Sequence, residues 1–85
     1  MSKYIVFSKP GCPFCKEAIS ILRDREEMVS VIQFRDGIHQ QAILSEIKSA
    51  YDHLTVPIVL FRDENQIKFI GGCDDLKRHL EIKDG

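Results

Sequence analysis

Pro10-Gly11 interrupts the chain directly after a short apolar run and just before a second proline, and this spacing leaves few folds open. Lys3 to Ser8 carries Tyr4-Ile5-Val6-Phe7 without polar alternation, as expected of a strand buried on both faces. The Pro-Gly pair breaks that strand. Pro13 stands where a first helical residue tolerates a missing N–H, so a helix is expected from near Cys12. Cys15, Ala18, Ile19 and Leu22 would share one face of it, and the run Arg23-Asp24-Arg25-Glu26-Glu27 would end it. Val29 to Phe34 then reads as a second strand. Strand, helix and strand in that order demand a parallel pair with a right-handed crossover.

The remainder extends the pattern. Asp36-Gly37 signals a turn. From His39 to Tyr51 the period is helical, with Ile43, Ile47, Ala50 and Leu54 expected on the buried side and Leu44 and Tyr51 beside them. Ile58 to Phe61 and Gln66 to Ile70 read as a hairpin around the polar Arg62-Asp63-Glu64-Asn65. A last helix is expected from about Asp74 to Ile82, with acidic residues first and Lys77, Arg78 and Lys83 later, as the helix dipole favours. The resulting order, β-α-β-α-β-β-α, implies an α/β fold: a four-stranded mixed sheet with helices on both faces. Eighty-five residues make one domain, 1–85, with a modest core and a shallow groove as its expected binding site.

Twelve basic against 13 acidic residues give a net charge of −1, and no basic stripe marks a nucleic-acid partner. Tyr4-Ile5-Val6-Phe7 is far shorter than a signal-peptide core of about 7–15 residues or a membrane span. No lipidation signal is present at either end. A soluble, cytoplasmic, monomeric protein is expected, with no membrane partner.

Cys12 and Cys15 form a Cys-x-x-Cys pair, and Cys73 is the third cysteine. In such a chain the pair is either redox-active or half of a metal site. Zinc needs four ligands, and the further candidates Cys73, His39, His53 and His79 are scattered singly, so no metal is expected. A sulfur at a helix N-terminus faces unpaired N–H groups and the positive end of the dipole. An ordinary thiol of pKa ~8.5 is only about 3% thiolate at pH 7. Being mostly thiolate takes roughly 3–5 kcal/mol of anion stabilisation, of which the dipole supplies about 0.3–2. Direct N–H···S contacts, Lys9, Lys16 or the neighbouring thiol must supply the rest. Cys12 is therefore the expected nucleophile, and Cys15, one turn into the helix, the resolving thiol.

Lys9-Pro10-Gly11-Cys12-Pro13-Phe14-Cys15, Thr55-Val56-Pro57 and Gly71-Gly72-Cys73-Asp74-Asp75, in that order, resemble the glutaredoxin family along essentially the whole chain. The resemblance implies a thioredoxin-like fold and glutathione-dependent thiol–disulfide exchange. No tightly bound cofactor is implied; glutathione is a co-substrate. A cis Pro57 would face Cys12, and the Val56 backbone would pair with the cysteinyl part of glutathione, with Thr55 holding the loop. Gly72, the Cys73 backbone and Asp74 would receive the γ-glutamyl end, Lys9 the glycine carboxylate, and Phe14 would form an apolar wall. The bland counterparts are helix capping by Asp74 and Asp75, a solvated Lys9 and a core Phe14. Cys73 is either a small residue at a helix start or a second reactive thiol.

Three departures stand out. Phe14 replaces the usual tyrosine, and Leu54, preceded by His53, stands where many relatives carry a basic residue. The stretch from Pro57 to Gly71 is long and has no glycine in its turn, so its tip at Asp63-Glu64-Asn65 is expected to project differently. Glutathionylated or disulfide-bonded proteins, ribonucleotide reductase among them, are the implied partners. The rival readings are a thioredoxin-like donor served by thioredoxin reductase and a glutathione-ligated iron–sulfur carrier.

Overall fold

A computed structural model describes residues 2–35, 37–53 and 55–81. Expectations placed on Asp36, Leu54, Ile82 and Lys83 lie outside the described residues. The elements are β1 (Ser2–Ser8), α1 (Pro13–Asp24), β2 (Val29–Gln33), α2 (Ile38–Ala50), β3 (Ile58–Asp63), β4 (Gln66–Gly71) and α3 (Cys73–His79). One sheet runs in the order β2-β1-β3-β4. β1 pairs parallel to β2, with Val6 opposite Val31, and antiparallel to β3, with Val6 opposite Val59. β3 and β4 form the antiparallel hairpin. This is the expected mixed sheet with three helices.

The unbroken apolar runs belong to the two central strands, whose side chains are covered from both sides. Tyr4, Val6 and Val59 turn to one face, where Ala18 and Leu22 of α1 and Cys73 and Leu76 of α3 close the core. Alternation sends Ile5, Phe7, Ile58 and Leu60 to the opposite face. Leu44 of α2 is buried, and Tyr51 at the end of that helix stacks on Phe69, the cross-strand partner of Leu60, at 5.1 Å between centroids. Each fully buried aliphatic side chain here contributes about 1.5–3 kcal/mol.

Three local expectations are corrected. The buried stripe of α2 is Leu44 with half-buried Gln41, Ile47, Lys48 and Tyr51, whereas Ile43 and Ala50 are exposed. The two stripes lie about 100° apart on the helix, and apolar content on both gave no means of choosing. Phe34 lies just past β2, yet it is buried and donates its N–H to Ser8 O at 2.8 Å. Arg62 and Asp63 belong to β3, not to the turn, because their backbones pair with Ile67 and Gln66 while their side chains stay in solvent. The turn is Glu64-Asn65, with Glu64 taking φ +51° where a glycine was missed.

β4 carries a bulge. Leu60 pairs with Phe69 and Val59 with Gly71, leaving Ile70 as the extra residue. Gly71 adopts φ +122°, and a Cβ there would collide with the Asp75 carboxylate. α3 begins at Cys73 and gives way to a cap at Leu80, a residue earlier at its start than expected. Among the described residues no helix is long and apolar enough to cross a membrane.

Candidate active site

β1 ends at buried Ser8, and the chain turns through Gly11 at φ +73°, a conformation that excludes most side chains without strain. Cys12 is the N-cap of α1, with extended backbone angles of −96° and 107°. Its sulfur takes the place of the usual capping oxygen and accepts the Cys15 N–H at 3.2 Å. Pro13 occupies the first helical position and offers no donor of its own. The helix thus begins with a sulfur facing its unpaired N–H end.

Cys12 and Cys15 are disulfide-bonded, with Cα atoms 5.2 Å apart. They differ in access. Cys12 is half-buried, whereas Cys15 is 2% exposed on the inward stripe with Ala18 and Leu22. Across from them the Val56–Pro57 peptide is cis, as the resemblance implied. Cys12 Sγ lies 3.9 Å from Val56 O, so the sheet brings together residues 44 positions apart.

Beside this pair lies an open groove of about 230 Å³. Phe14 forms one wall and Thr55, Val56 and Pro57 another, while Gly72, Cys73 and Asp74 close it from the start of α3. Phe14 is 60% exposed, so it belongs to the groove and not to the core. Seven of the eight expected binding residues therefore converge. Lys9, half-buried, is not among the lining residues.

Two lining residues were missed in those roles. Asp75, expected only as a helix cap, does cap: its Oδ2 accepts the Gly72 N–H at 3.0 Å, and it also pairs with Arg78. The Gly72 N–H, then Arg78, hold the Asp75 carboxyl below the usual carboxylate range. Asp74 does no such work and remains exposed. His53 lines the groove as well, its Nε2 3.5 Å from Thr55 Oγ1 and its ring edge-on to Phe69 at 5.7 Å. No spacing signal marked it; the β4 ring that positions it is 16 residues away.

Cys73 points inward and is 5% exposed. Burial pushes its thiol up to about 11, and the Glu17 carboxylate adds to the rise. Glu17 is itself paired with Lys77 across α1 and α3 at 2.6 Å. The reactive-thiol alternative is thus corrected: a helix N-terminus acidifies a sulfur only when the sulfur reaches the N–H groups and solvent. Among the described residues no three His, Cys, Asp or Glu side chains gather as a metal-binding group.

The sequence model of the family described as Glutaredoxin matches residues 4–65. A probable glutaredoxin of Acanthamoeba polyphaga mimivirus is 28% identical over 88 residues, covering 94% of this chain and 79% of that one. A hybrid peroxiredoxin, hyPrx5, of Haemophilus influenzae is 36% identical over 77 residues; the match takes in 88% of this chain but only 28% of that protein's length. Among solved structures, the buckwheat glutaredoxin–glutathione complex superimposes with a TM-score of 0.75 at 25% identity, over 94% of this chain and 70% of that one. The family match runs from β1 to the hairpin turn and takes in both cysteines and the cis proline. On that ground the chain belongs to the glutaredoxin family, and its Cys12–Cys15 pair makes it a thiol–disulfide oxidoreductase.

Proposed function

We propose that this protein uses glutathione to reduce glutathione mixed disulfides and protein disulfides, with Cys12 as nucleophile and Cys15 as resolving thiol. The observation that carries the reading is the unequal access of two bonded sulfurs beside one groove. Only Cys12 can meet an incoming disulfide. Its N-cap position stabilises the thiolate through the Cys15 N–H and the helix dipole.

In the one-thiol route, Cys12 thiolate attacks the glutathione sulfur of a mixed disulfide. The S–S bond breaks, the protein thiolate leaves and takes a proton from solvent, and Cys12 carries glutathione. A second glutathione thiolate attacks that sulfur, releasing oxidised glutathione and restoring Cys12. With a protein disulfide, Cys12 forms the mixed disulfide and Cys15 displaces the protein thiolate. The resulting Cys12–Cys15 bond is then reduced by two glutathione molecules.

The groove supplies recognition by backbone more than by side chain. Val56 offers an extended edge for the cysteinyl part, as in strand addition. The first-turn N–H groups of α3 suit the γ-glutamyl carboxylate. Asp75 already occupies the Gly72 N–H, so the N–H groups of Cys73 and Asp74 carry that contact. Asp74, exposed in the groove, would meet the amine, and Lys9, from outside the lining, the distal glycine carboxylate. The glutathione found with the buckwheat relative supports this reading.

The test is reduction of a small glutathione mixed disulfide, coupled to NADPH and glutathione reductase. Activity is expected in the parent and in Cys15→Ser, and none in Cys12→Ser. Turnover with thioredoxin reductase but not with glutathione would refute glutathione dependence.

A further inference from the structure

The groove beside Cys12 carries a charge problem at its α3 end. Asp74 and Asp75 both line it. The γ-glutamyl group of glutathione brings an ammonium and a carboxylate on one carbon. Asp74 suits the ammonium, but the carboxylate arrives beside two like charges. Among the described residues, His53 is the one lining side chain able to carry positive charge. Lys9 and Arg78 stand outside the lining, and Arg78 is paired with Asp75.

His53 is held from three directions. Its backbone N–H donates to Lys48 O of α2 at 2.9 Å. Its ring meets Phe69 of β4 edge-on at 5.7 Å, and Tyr51 stacks on the same Phe69 at 5.1 Å. The ring is thereby seated over the start of α3: a Cβ placed on Gly72 would lie 3.5 Å from both His53 Cε1 and Nε2. The side chain is half-buried. Yet among the described residues its Nε2 meets only Thr55 Oγ1, at 3.5 Å, the limit of hydrogen-bond distance. A carboxylate makes a shorter, charge-assisted bond and would displace that contact. The Gly72 N–H, then Arg78 and lastly His53 favour the charged form of Asp75, so imidazole and carboxylate sense one another across the groove.

We infer that His53 is a specificity-determining residue of this groove, its Nε2 binding the α-carboxylate of the γ-glutamyl group. The inference rests on the glutathione reading above and adds a side chain to the backbone contacts proposed there. The carboxylate shares its carbon with the amine, so its partner must stand close to Asp74. His53, over Gly72 and two residues from Asp74 along the chain, does so. A rigid ring on the groove wall thus makes one end of the ligand distinguishable by charge and not by shape alone.

Three mixed disulfides of one peptide thiol test this: with glutathione, with 4-aminobutyryl-cysteinylglycine, which lacks only the α-carboxylate, and with cysteamine. The quantity read is the ratio of kcat/KM between substrates within each protein, which cancels any general loss of activity. The parent should prefer glutathione to the decarboxylated tripeptide by about tenfold or more, the effect of a hydrogen bond to a charged group. His53→Phe keeps a ring against Phe69 but has no donor, and should reduce that ratio to about threefold or less. His53→Gln restores an N–H donor and should recover a ratio above that of His53→Phe. A ratio in His53→Phe equal to the parent's, or a parent indifferent to the carboxylate while still preferring glutathione to cysteamine, would overturn the role of His53 and leave glutathione dependence standing. A parent that treats glutathione and cysteamine mixed disulfides alike would overturn both.

Discussion

Cys73 offers the sharpest check on how environment overrides position. It opens α3, where a reachable sulfur would be acidified, yet burial and Glu17 lift its thiol from an ordinary 9.0 to about 11. Two pKa units mean about 100-fold less thiolate than an ordinary thiol at any pH below 9. The perturbation is alkylation of the Cys12→Ser, Cys15→Ser double variant, in which Cys73 is the sole thiol. Iodoacetamide labelling, followed by mass spectrometry, should run at least about 100-fold slower in the native protein than in urea at pH 8, since 5% exposure adds a barrier of access. The sign for stability follows from the same shift. Between pH 9 and 11 the unfolded chain releases this proton and the folded one keeps it. Stability is therefore undiminished below pH 9 and falls as pH rises through this window, by roughly 2–3 kcal/mol at most. Cys73→Ala should remove that share of the alkaline loss in urea titrations. Native labelling within about tenfold of the unfolded rate would refute the reasoning.

Two further changes probe the scaffold. Asp75→Ala removes the acceptor of the Gly72 N–H and should cost about 0.5–2 kcal/mol in urea unfolding at pH 7. Because the Asp75 pKa is depressed, its contribution should be present above the ordinary carboxylate range and fade as pH falls below about 4, so parent and variant should converge there. Leu44→Ala, at the one fully buried position of α2 among the described residues, should cost about 2–5 kcal/mol, whereas Ile43→Ala on the neighbouring exposed stripe should cost well under 1.

Element order, the parallel first pair, the helix start at Pro13 and the unequal roles open to two cysteines one turn apart were all legible in the sequence. Each depends on interactions within a few residues: proline without a donor, glycine at positive φ, apolar runs too continuous for a half-exposed strand. Tertiary structure decided the rest. Which stripe of α2 is buried depended on the sheet it covers, since Leu44 and Ile43 are equally apolar. Placing His53 in the groove required Phe69, and drawing Thr55-Val56-Pro57 up to Cys12 required β3 to lie beside β1. The two acidic residues of α3 read alike in one dimension, but only Asp75 turns back to the Gly72 N–H. Cys73 and Cys12 are both thiols at helix starts; one is sealed beneath α1 and the other opens on a groove. Local chemistry set what each residue could do, and long-range packing, which fixes solvent access and neighbouring charge, set what it does.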